Sequence, residues 1–448
     1  MPQRLCQFIT SKYVLAFLSS ILFLLTLPPF KQSWLGGIAI VPLLLLIGKE
    51  NSFWKNFHLG TLAWVPYCII TFYWCIYYNV WNYLDVVMSY LPFLGLFCGL
   101  VGLVLKKFPR NLLLNFLVPP VIWLMLSFLY DLTPLGSIGT QAIFYQPLEW
   151  MQIARVFGVY GVMFLFLLVN ASIALTFKFK SSKRFIPLIV CIFLLVTDFF
   201  LGKRALADQF MGTEKIALIQ HNLPFQKEWW LKNQGLILSR YRLLALDAAK
   251  EKPSLIIFPS YSLPFDAYRN PDFFEELAKE TRSFILVSTY IPQIANRPIY
   301  DVGLYEVALL FSPEGKLVAL DKAVQAPPFR NIHEVLAKET ELLPTPNGKI
   351  GVLLCFEDTV PRRAKEEVKK GAQILVAISN IGHFNKTFLP EHHLYQDQLR
   401  AIETGRWVIR VSANGYSAII DPRGRVIKRT ELGKQEILYG QVEIVQKK

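Results

Sequence analysis

Apolar positions are distributed along this chain in two ways. Through residue 202 they form long runs broken by short polar segments, at roughly 13–28, 35–48, 60–80, 86–105, 112–130, 155–177 and 186–202. From residue 203 onward they come as short runs and alternations, separated by turns and charges. A helix needs about 20 apolar residues to cross a hydrocarbon core about 30 Å thick, and several of these runs approach or exceed that length. The run at 35–48 is shorter and is read as a half-span or a segment with interfacial flanks. The chain is therefore expected to divide into a polytopic α-helical membrane domain of about seven spans, 1–202, and an α/β domain, 203–448. The first run is read as a span and not as a cleaved leader, because "LPPF" (27–30) leads into the next run with no small-residue cleavage site between them.

Within the second half the pattern predicts strands alternating with helices. "KIALIQHN" (215–222), "SLIIFPS" (254–260), "SFILVSTY" (283–290), "KIGVLLCFE" (349–357), "AQILVAISN" (372–380) and "WVIRVSANG" (407–415) read as strands. Helices are predicted over 229–250, with Trp229 and Trp230 at its start, and over 271–281, 359–370 and 390–405. Two hairpins are predicted, 307–322 turning at "SPEG" and 417–430 turning at Gly424. In such sheets chemistry collects at the carboxyl ends of the strands. Ser260, Lys322 and Cys355 all end predicted strands.

Composition sharpens this division. The chain of 448 residues is 53% hydrophobic and 14% aromatic, yet 18% of it is charged, as a membrane half joined to a soluble half requires. Taking the N-terminus as cytoplasmic, the inner segments carry Arg4, Lys12, Lys49, Lys55, Lys106, Lys107, Arg110, Lys178, Lys180, Lys183 and Arg184, eleven in all. The outer loops carry two, Lys31 and Arg155, the asymmetry that the positive-inside rule requires. Seven crossings then deliver residue 203 to the outer side. Much of the formal charge of +14 is explained by topology and contact with anionic lipid, so no nucleic-acid partner is expected.

That compartment bears on the cysteines. Cys6, Cys68, Cys75, Cys98 and Cys191 lie in or beside the membrane half, and Cys355 is the one cysteine of the outer domain. Buried cysteine is commonly a small apolar filler. A lone thiol in an oxidising compartment has no disulfide partner there and stands out as a reactive candidate. His383, His392 and His393 lack metal-ligand spacing, and no metal or cofactor is expected.

The strings "IGVLLCFED" (350–358), "GAQILVAISN" (371–380) and "HLYQDQLRAIETGRWVIRVSANGYSAIIDPRGRV" (393–426) resemble the nitrilase, or carbon–nitrogen hydrolase, superfamily. Together with "LPPFKQSWLGGIAIVPLL" (27–44), "PPVIWLMLSFL" (119–129) and "GVYGVMFLFLLVNA" (158–171), they make nearly the whole chain similar to the apolipoprotein N-acyltransferase family. The resemblance implies an α-β-β-α sandwich behind the membrane helices, in a bacterial inner membrane with the sandwich outside, acting as a monomer. It implies ping-pong acyl transfer, in which a cysteine takes an acyl chain from a membrane phospholipid. The amine of a diacylglyceryl-modified lipoprotein then accepts that chain. Cys355 falls on the nucleophile, Glu357 on the carboxylate two residues later, and Lys322 on the lysine. A free thiol has a pKa of about 8.5, so a nearby ammonium would raise its thiolate fraction. The same ammonium could hold the oxyanion of a tetrahedral intermediate.

Three departures stand beside the resemblance. "FPSYSLPF" (258–265) places Ser260 where the family carries its general-base Glu. Glu306, where the family has Asn, and Asp266 are the carboxylates that could replace that base. "APPFRN" (326–331) puts Arg330 or Asn331 at a further family Glu. "VEIVQKK" (442–448) carries no closing span, which leaves the expected topology at seven crossings. Bland roles remain open: Lys322 as a solvated residue at a hairpin end, Glu357 as a helix-start carboxylate, Glu403 and Arg406 as a surface ion pair. Three functions are left: an N-acyltransferase, a catalytically silent homologue that binds lipid or lipoprotein, and a membrane-anchored amidase.

Overall fold

The computed structural model describes residues 12–47, 52–77, 79–133, 136, 145–224, 227–260, 266–292, 304–323, 337, 339–381, 384 and 386–444. They form two compact units, Met1–Ala207 and Asp208–Lys448. In the first unit, four apolar segments among the described residues are long enough to cross a membrane: Val80–Lys107, Leu112–Asp131, Val159–Lys178 and Ser182–Ala205. Lys12–Thr26 is a shorter apolar helix. Helices Phe53–Thr71 and Pro92–Lys107 approach closely through small residues, since a Cβ on Gly60 would strike the Leu94 carbonyl. The short run at 35–48 is a broken segment, a 3₁₀ turn Ser33–Gly37 followed by the helix Val41–Leu46. Its freed backbone is satisfied by buried Asn170, which accepts from Ile40 N at 2.9 Å and donates to the Gly36 carbonyl at 2.8 Å.

The second unit is built from twelve strands among the described residues: β1 Glu214–Gln220, β2 Leu255–Ile257, β3 Phe284–Pro292, β4 Leu304–Ser312, β5 Lys316–Lys322, β6 Leu343–Thr345, β7 Gly348–Leu354, β8 Ile374–Ser379, β9 Val408–Ser412, β10 Ala418–Ile420, β11 Val426–Arg429 and β12 Glu436–Val442. They pair into two six-stranded sheets, ordered β12-β1-β2-β3-β4-β5 and β11-β10-β9-β8-β7-β6. Helices α1 (Gln234–Ala249) and α2 (Asp272–Thr281) cover the first sheet; α3 (Pro361–Lys370) and α4 (Leu389–Thr404) cover the second.

Side chains alternate across each strand, and in the inner strands both faces are buried, so those strands read as nearly continuous apolar runs. In β1, Ile216 and Leu218 enter the core between the sheets while Ala217 and Ile219 face the helices. In β7, Ile350, Val352 and Leu354 enter the same inter-sheet core. The result is the four-layered α-β-β-α sandwich of the nitrilase-like class. The hairpin β4–β5 turns at Gly315, whose φ of +73° is open to glycine at no steric cost. The predicted helix over 229–250 is interrupted at Asn233, giving Lys227–Lys232 and α1. Strands β6 and β12 were not marked by the sequence pattern.

Candidate functional site

In the first sheet β1, β2 and β3 run parallel, and β4 and β5 return antiparallel in turn. The ends of β2, β3 and β5 and the start of β4 therefore lie along one edge. In the second sheet β7, β8 and β9 are parallel, so their carboxyl ends also share an edge. The two edges meet: Asn222, just beyond β1, donates its N–H to the Ala413 carbonyl, just beyond β9, at 2.8 Å. Ser260, Glu306, Lys322 and Cys355 are thus gathered at one end of the sandwich.

Cys355 is the first residue after β7, where the chain turns into the 3₁₀ segment Cys355–Thr359. Its φ is +52°, in the left-handed region that costs an L-residue with a Cβ roughly 1–2 kcal/mol. The turn lifts the half-buried thiol off the end of an otherwise buried strand. Strain of this kind persists only where the surroundings over-determine it. Here the brace is Glu357, which is buried and accepts the Leu354 N–H through Oε2 at 2.9 Å. Its Oε1 lies 3.5 Å from Nε of buried Arg363 on α3. The Glu357 side chain therefore bends back around the cysteine turn and fixes its shape.

Ser260 is fully buried, three residues past β2. Its hydroxyl donates to Oε1 of Glu306, and the Ser288 hydroxyl lies 3.5 Å from it. Glu306 shares its strand face with Ala308 and Leu310, which belong to the inter-sheet core. Asp266 is buried but closes its own turn, accepting from Tyr268 N at 2.9 Å and Arg269 N at 3.2 Å. Lys322 lies opposite Val307 in the β4–β5 register, and its Nζ sits 5.0 Å from the centre of the Tyr305 ring. A cation–π contact at a partly exposed site is worth about 0.5–1 kcal/mol, so the flexible lysine stem can leave it at low cost. Arg330, Asn331 and His383 lie outside the described residues.

Next to Lys322, Asp321 points into the sandwich and accepts from Lys322 N and Glu341 N, both at 2.8 Å. Burial pushes its carboxyl up to about 8, and the neighbouring charges of Glu357 and Glu367 act in the same direction. Behind the cysteine turn, Asp358 accepts from Arg410 Nη1 and meets His393 Nδ1, each at 2.7 Å. Burial alone would raise the Asp358 carboxyl, but His393 and Arg410 hold it below the usual carboxylate range. Arg410 also reaches Asp397 at 2.7 Å and Ser379 Oγ at 2.8 Å, tying the turn to α4 and β8. His392 meets Gln396 Nε2 at 3.2 Å. Sequence reasoning missed this buried network, although the acidic doublet Glu357–Asp358 was its visible trace.

The helical spacing that left a surface pair open between Glu403 and Arg406 does not hold in the fold. Helix α4 ends at Thr404 with Gly405 at φ +62°, so the helical spacing does not extend to residue 406. Glu403 is buried against Arg400 Nε at 2.9 Å, and Arg406 donates to the Ala372 carbonyl at 3.3 Å.

Residues 215–446 match the carbon-nitrogen hydrolase family, and residues 19–172 match the apolipoprotein N-acyltransferase N-terminal domain. The chain is similar to the apolipoprotein N-acyltransferase of Geobacter metallireducens, 27% identical over 481 residues that take in 96% of this chain and 89% of that one. It is similar also to the apolipoprotein N-acyltransferase of Nitrosomonas europaea, 28% identical over 299 residues, 62% of this chain and 58% of that one. Among solved structures, the carbon-nitrogen hydrolase from Helicobacter pylori G27 covers 52% of this chain and 89% of its own, at 17% identity and a TM-score of 0.43.

Proposed function

The chain belongs to the carbon–nitrogen hydrolase family, and from that premise we propose that it is a lipoprotein N-acyltransferase working through Cys355. The observation that carries the reading is the half-buried thiol on a strained turn at the strand ends, in a chain whose other half is apolar helix. A membrane-facing acyl donor explains that apolar half, which a small-amide hydrolase needing only an anchor does not.

In this reading the Cys355 thiolate attacks an ester carbonyl of a membrane phospholipid. The tetrahedral intermediate collapses to a thioester as the lysophospholipid alkoxide departs and takes up a proton. The α-amine of a diacylglyceryl-cysteine lipoprotein then attacks the thioester. An amide forms, the amine gives up a proton, and the thiolate is regenerated. Lys322, at the end of β5, supplies a cation for the oxyanion, which an uncompensated site would have to bear in low dielectric. Glu357 is a positioning residue that holds the cysteine turn. The same reading puts the chain in a bacterial inner membrane with the sandwich on the extracytoplasmic side. A reporter fused after Lys448 that is active only in the cytoplasm would overturn that orientation.

Ser260 favours a second reading, a silent homologue that binds lipid without turnover, because a serine hydroxyl is no base at neutral pH. Intact-mass analysis of the purified full chain incubated with phospholipid vesicles separates the two. The acyltransferase reading expects a gain of one acyl chain that hydroxylamine removes and that Cys355→Ala abolishes. No gain in the wild type at any pH supports the silent homologue instead.

A further inference from the structure

The last apolar helix of the first unit, Ile186–Ala205, carries an acid, Asp198. Of this helix Pro187, Cys191 and Gly202 are buried, while Ile189, Ile192, Phe193 and Phe200 are exposed, so bilayer lipid is the medium that covers it. Asp198 stands about 10 Å short of the helix end, at a rise of about 1.5 Å per residue. An ionisable group at that depth is costly unless a partner answers it, and the single methylene of aspartate is too short to lift the carboxylate to the surface. Its Oδ2 is buried and accepts no hydrogen bond among the described residues.

Asp198 lines a groove of about 760 Å³, within the size range of ligand pockets. Phe164 and Leu168, on helix Val159–Lys178, form one wall, and Leu194 and Leu201 form the other. Leu194, Asp198 and Leu201 share a helix face by their spacing. The neighbouring face is held by the segment before Arg155: Trp150 Nε1 donates to the Leu195 carbonyl at 3.1 Å, and a Cβ on Gly202 would strike the Glu149 carbonyl. That packing fixes the rotation of the helix. The same segment runs on to Arg155, which is exposed on the short helix Ala154–Phe157 and lines the same groove. No ion pair joins Arg155 to Asp198 among the described residues. Lys203, the next cation along the helix, lies over the Phe199 ring at 5.5 Å from its centre.

An apolar groove that offers one cation and one anion, not paired with each other, is complementary to an apolar molecule bearing both charges. We infer that this groove is a headgroup-selective lipid site, which takes a phospholipid whose headgroup carries a primary ammonium. Asp198 accepts from the ammonium, Arg155 takes the phosphate, and an acyl chain lies along Phe164, Leu168, Leu194 and Leu201. A primary ammonium gives Asp198 charge-assisted hydrogen bonds, which a quaternary ammonium cannot donate and a neutral glycerol headgroup supplies only weakly. This site belongs to the first unit and is independent of the chemistry at Cys355.

The test is native mass spectrometry of the full chain in detergent, as Cys355→Ala so that no acyl transfer alters the lipid. The chain is titrated with phosphatidylethanolamine, phosphatidylcholine and phosphatidylglycerol of identical acyl chains. The ethanolamine lipid should bind about 10–100-fold more tightly than the glycerol lipid, the worth of hydrogen bonds to a charged group, with the choline lipid between them. Asp198→Asn should bring the three within about threefold of one another. Arg155→Gln should weaken all three, since each loses its phosphate contact, and keep their order. Three lipids bound within about threefold by the unaltered groove would mean annular lipid only and overturn the site. An ethanolamine preference that survives Asp198→Asn also overturns it, as does a dimer that retains no lipid, which would put a second copy in the groove. If Asp198→Asn does not fold, Leu201→Trp decides: it fills the groove from its wall, so the preference must vanish, and its persistence sinks the assignment. Bound lipid is the readout throughout, so failure here leaves the acyltransferase reading standing, and failure of that reading leaves this site standing.

Discussion

Arg410 and Asp358 form a fully buried ion pair, Nη1 to Oδ2 at 2.7 Å, directly behind the turn that carries Cys355. The guanidinium also meets Asp397 at 2.7 Å, so one cation offsets two buried carboxylates from different elements. Removing one partner of such a network leaves uncompensated charge in a low-dielectric site, which typically costs about 3–5 kcal/mol. Arg410→Met, close in volume but neutral, should lower stability by about that amount. Thermal unfolding of the full chain in detergent checks it; a loss below about 1 kcal/mol would mean that water reaches the pair and screens it.

Glu357 acts on the nucleophile through the backbone. Its carboxylate accepts the Leu354 N–H, and hydrogen bonds to charged groups contribute about 1.5–3 kcal/mol, against about 1 for neutral ones. Glu357→Gln keeps an acceptor of the same shape, so the cysteine turn should survive with a modest loss of stability. Glu357→Ala removes the brace and leaves Arg363 facing an empty place. Acyl loading of Cys355 should fall far more in the alanine variant than in the glutamine variant. Equal losses would show that the negative charge, and not the brace, is what the reaction uses.

How much of this was legible in the sequence differs from residue to residue. Alternation and apolar runs marked β1, β3, β7, β8 and β9, because burial on both faces leaves a strong local trace. Cys355 stood out as the one cysteine of the second half and as the end of an apolar run. β12 did not, since Glu436–Val442 finds its partner in Glu214–Gln220, at the opposite end of the sandwich sequence. The Ser260–Glu306 contact needed the register of β2, β3 and β4 together, which no local pattern carries. Glu357 and Asp358 are adjacent and alike in type. Only the geometry of the turn sends one back to Leu354 and the other across to Arg410.

Asp321 gives the fold a dependence on pH of definite sign. Burial lifts its folded-state carboxyl to about 8, while the unfolded chain releases the proton near the ordinary value of about 4. Between those values the folded state holds a proton that the unfolded state has lost. Stability contributed by this group is therefore present at acid pH, falls as pH rises through that window, and levels off above it. Asp321→Asn keeps an oxygen for the Lys322 and Glu341 N–H groups and removes the titration. The variant should gain on wild type as pH goes from 5 to about 8. Melting temperatures at several pH values give the comparison; parallel curves for the two proteins would contradict it.

The last prediction concerns the backbone at Cys355. A φ of +52° is strained for cysteine and for alanine alike, and free for glycine. Cys355→Ala and Cys355→Gly both remove the thiol, so neither should carry an acyl chain. They should nonetheless differ in stability. Alanine keeps the Cβ and with it a left-handed penalty of about 1–2 kcal/mol, whereas glycine loses the penalty but gains freedom in the unfolded chain worth about 0.5–1 kcal/mol. The balance leaves the glycine variant more stable than the alanine variant by up to about 1.5 kcal/mol, or up to about 3–6 °C in melting temperature for a unit of this size. Elsewhere in a buried strand end, with φ negative, the order would be reversed. An alanine variant that melts above the glycine variant would show that the turn is not held in the left-handed region, and the strained presentation of the thiol would have to be abandoned.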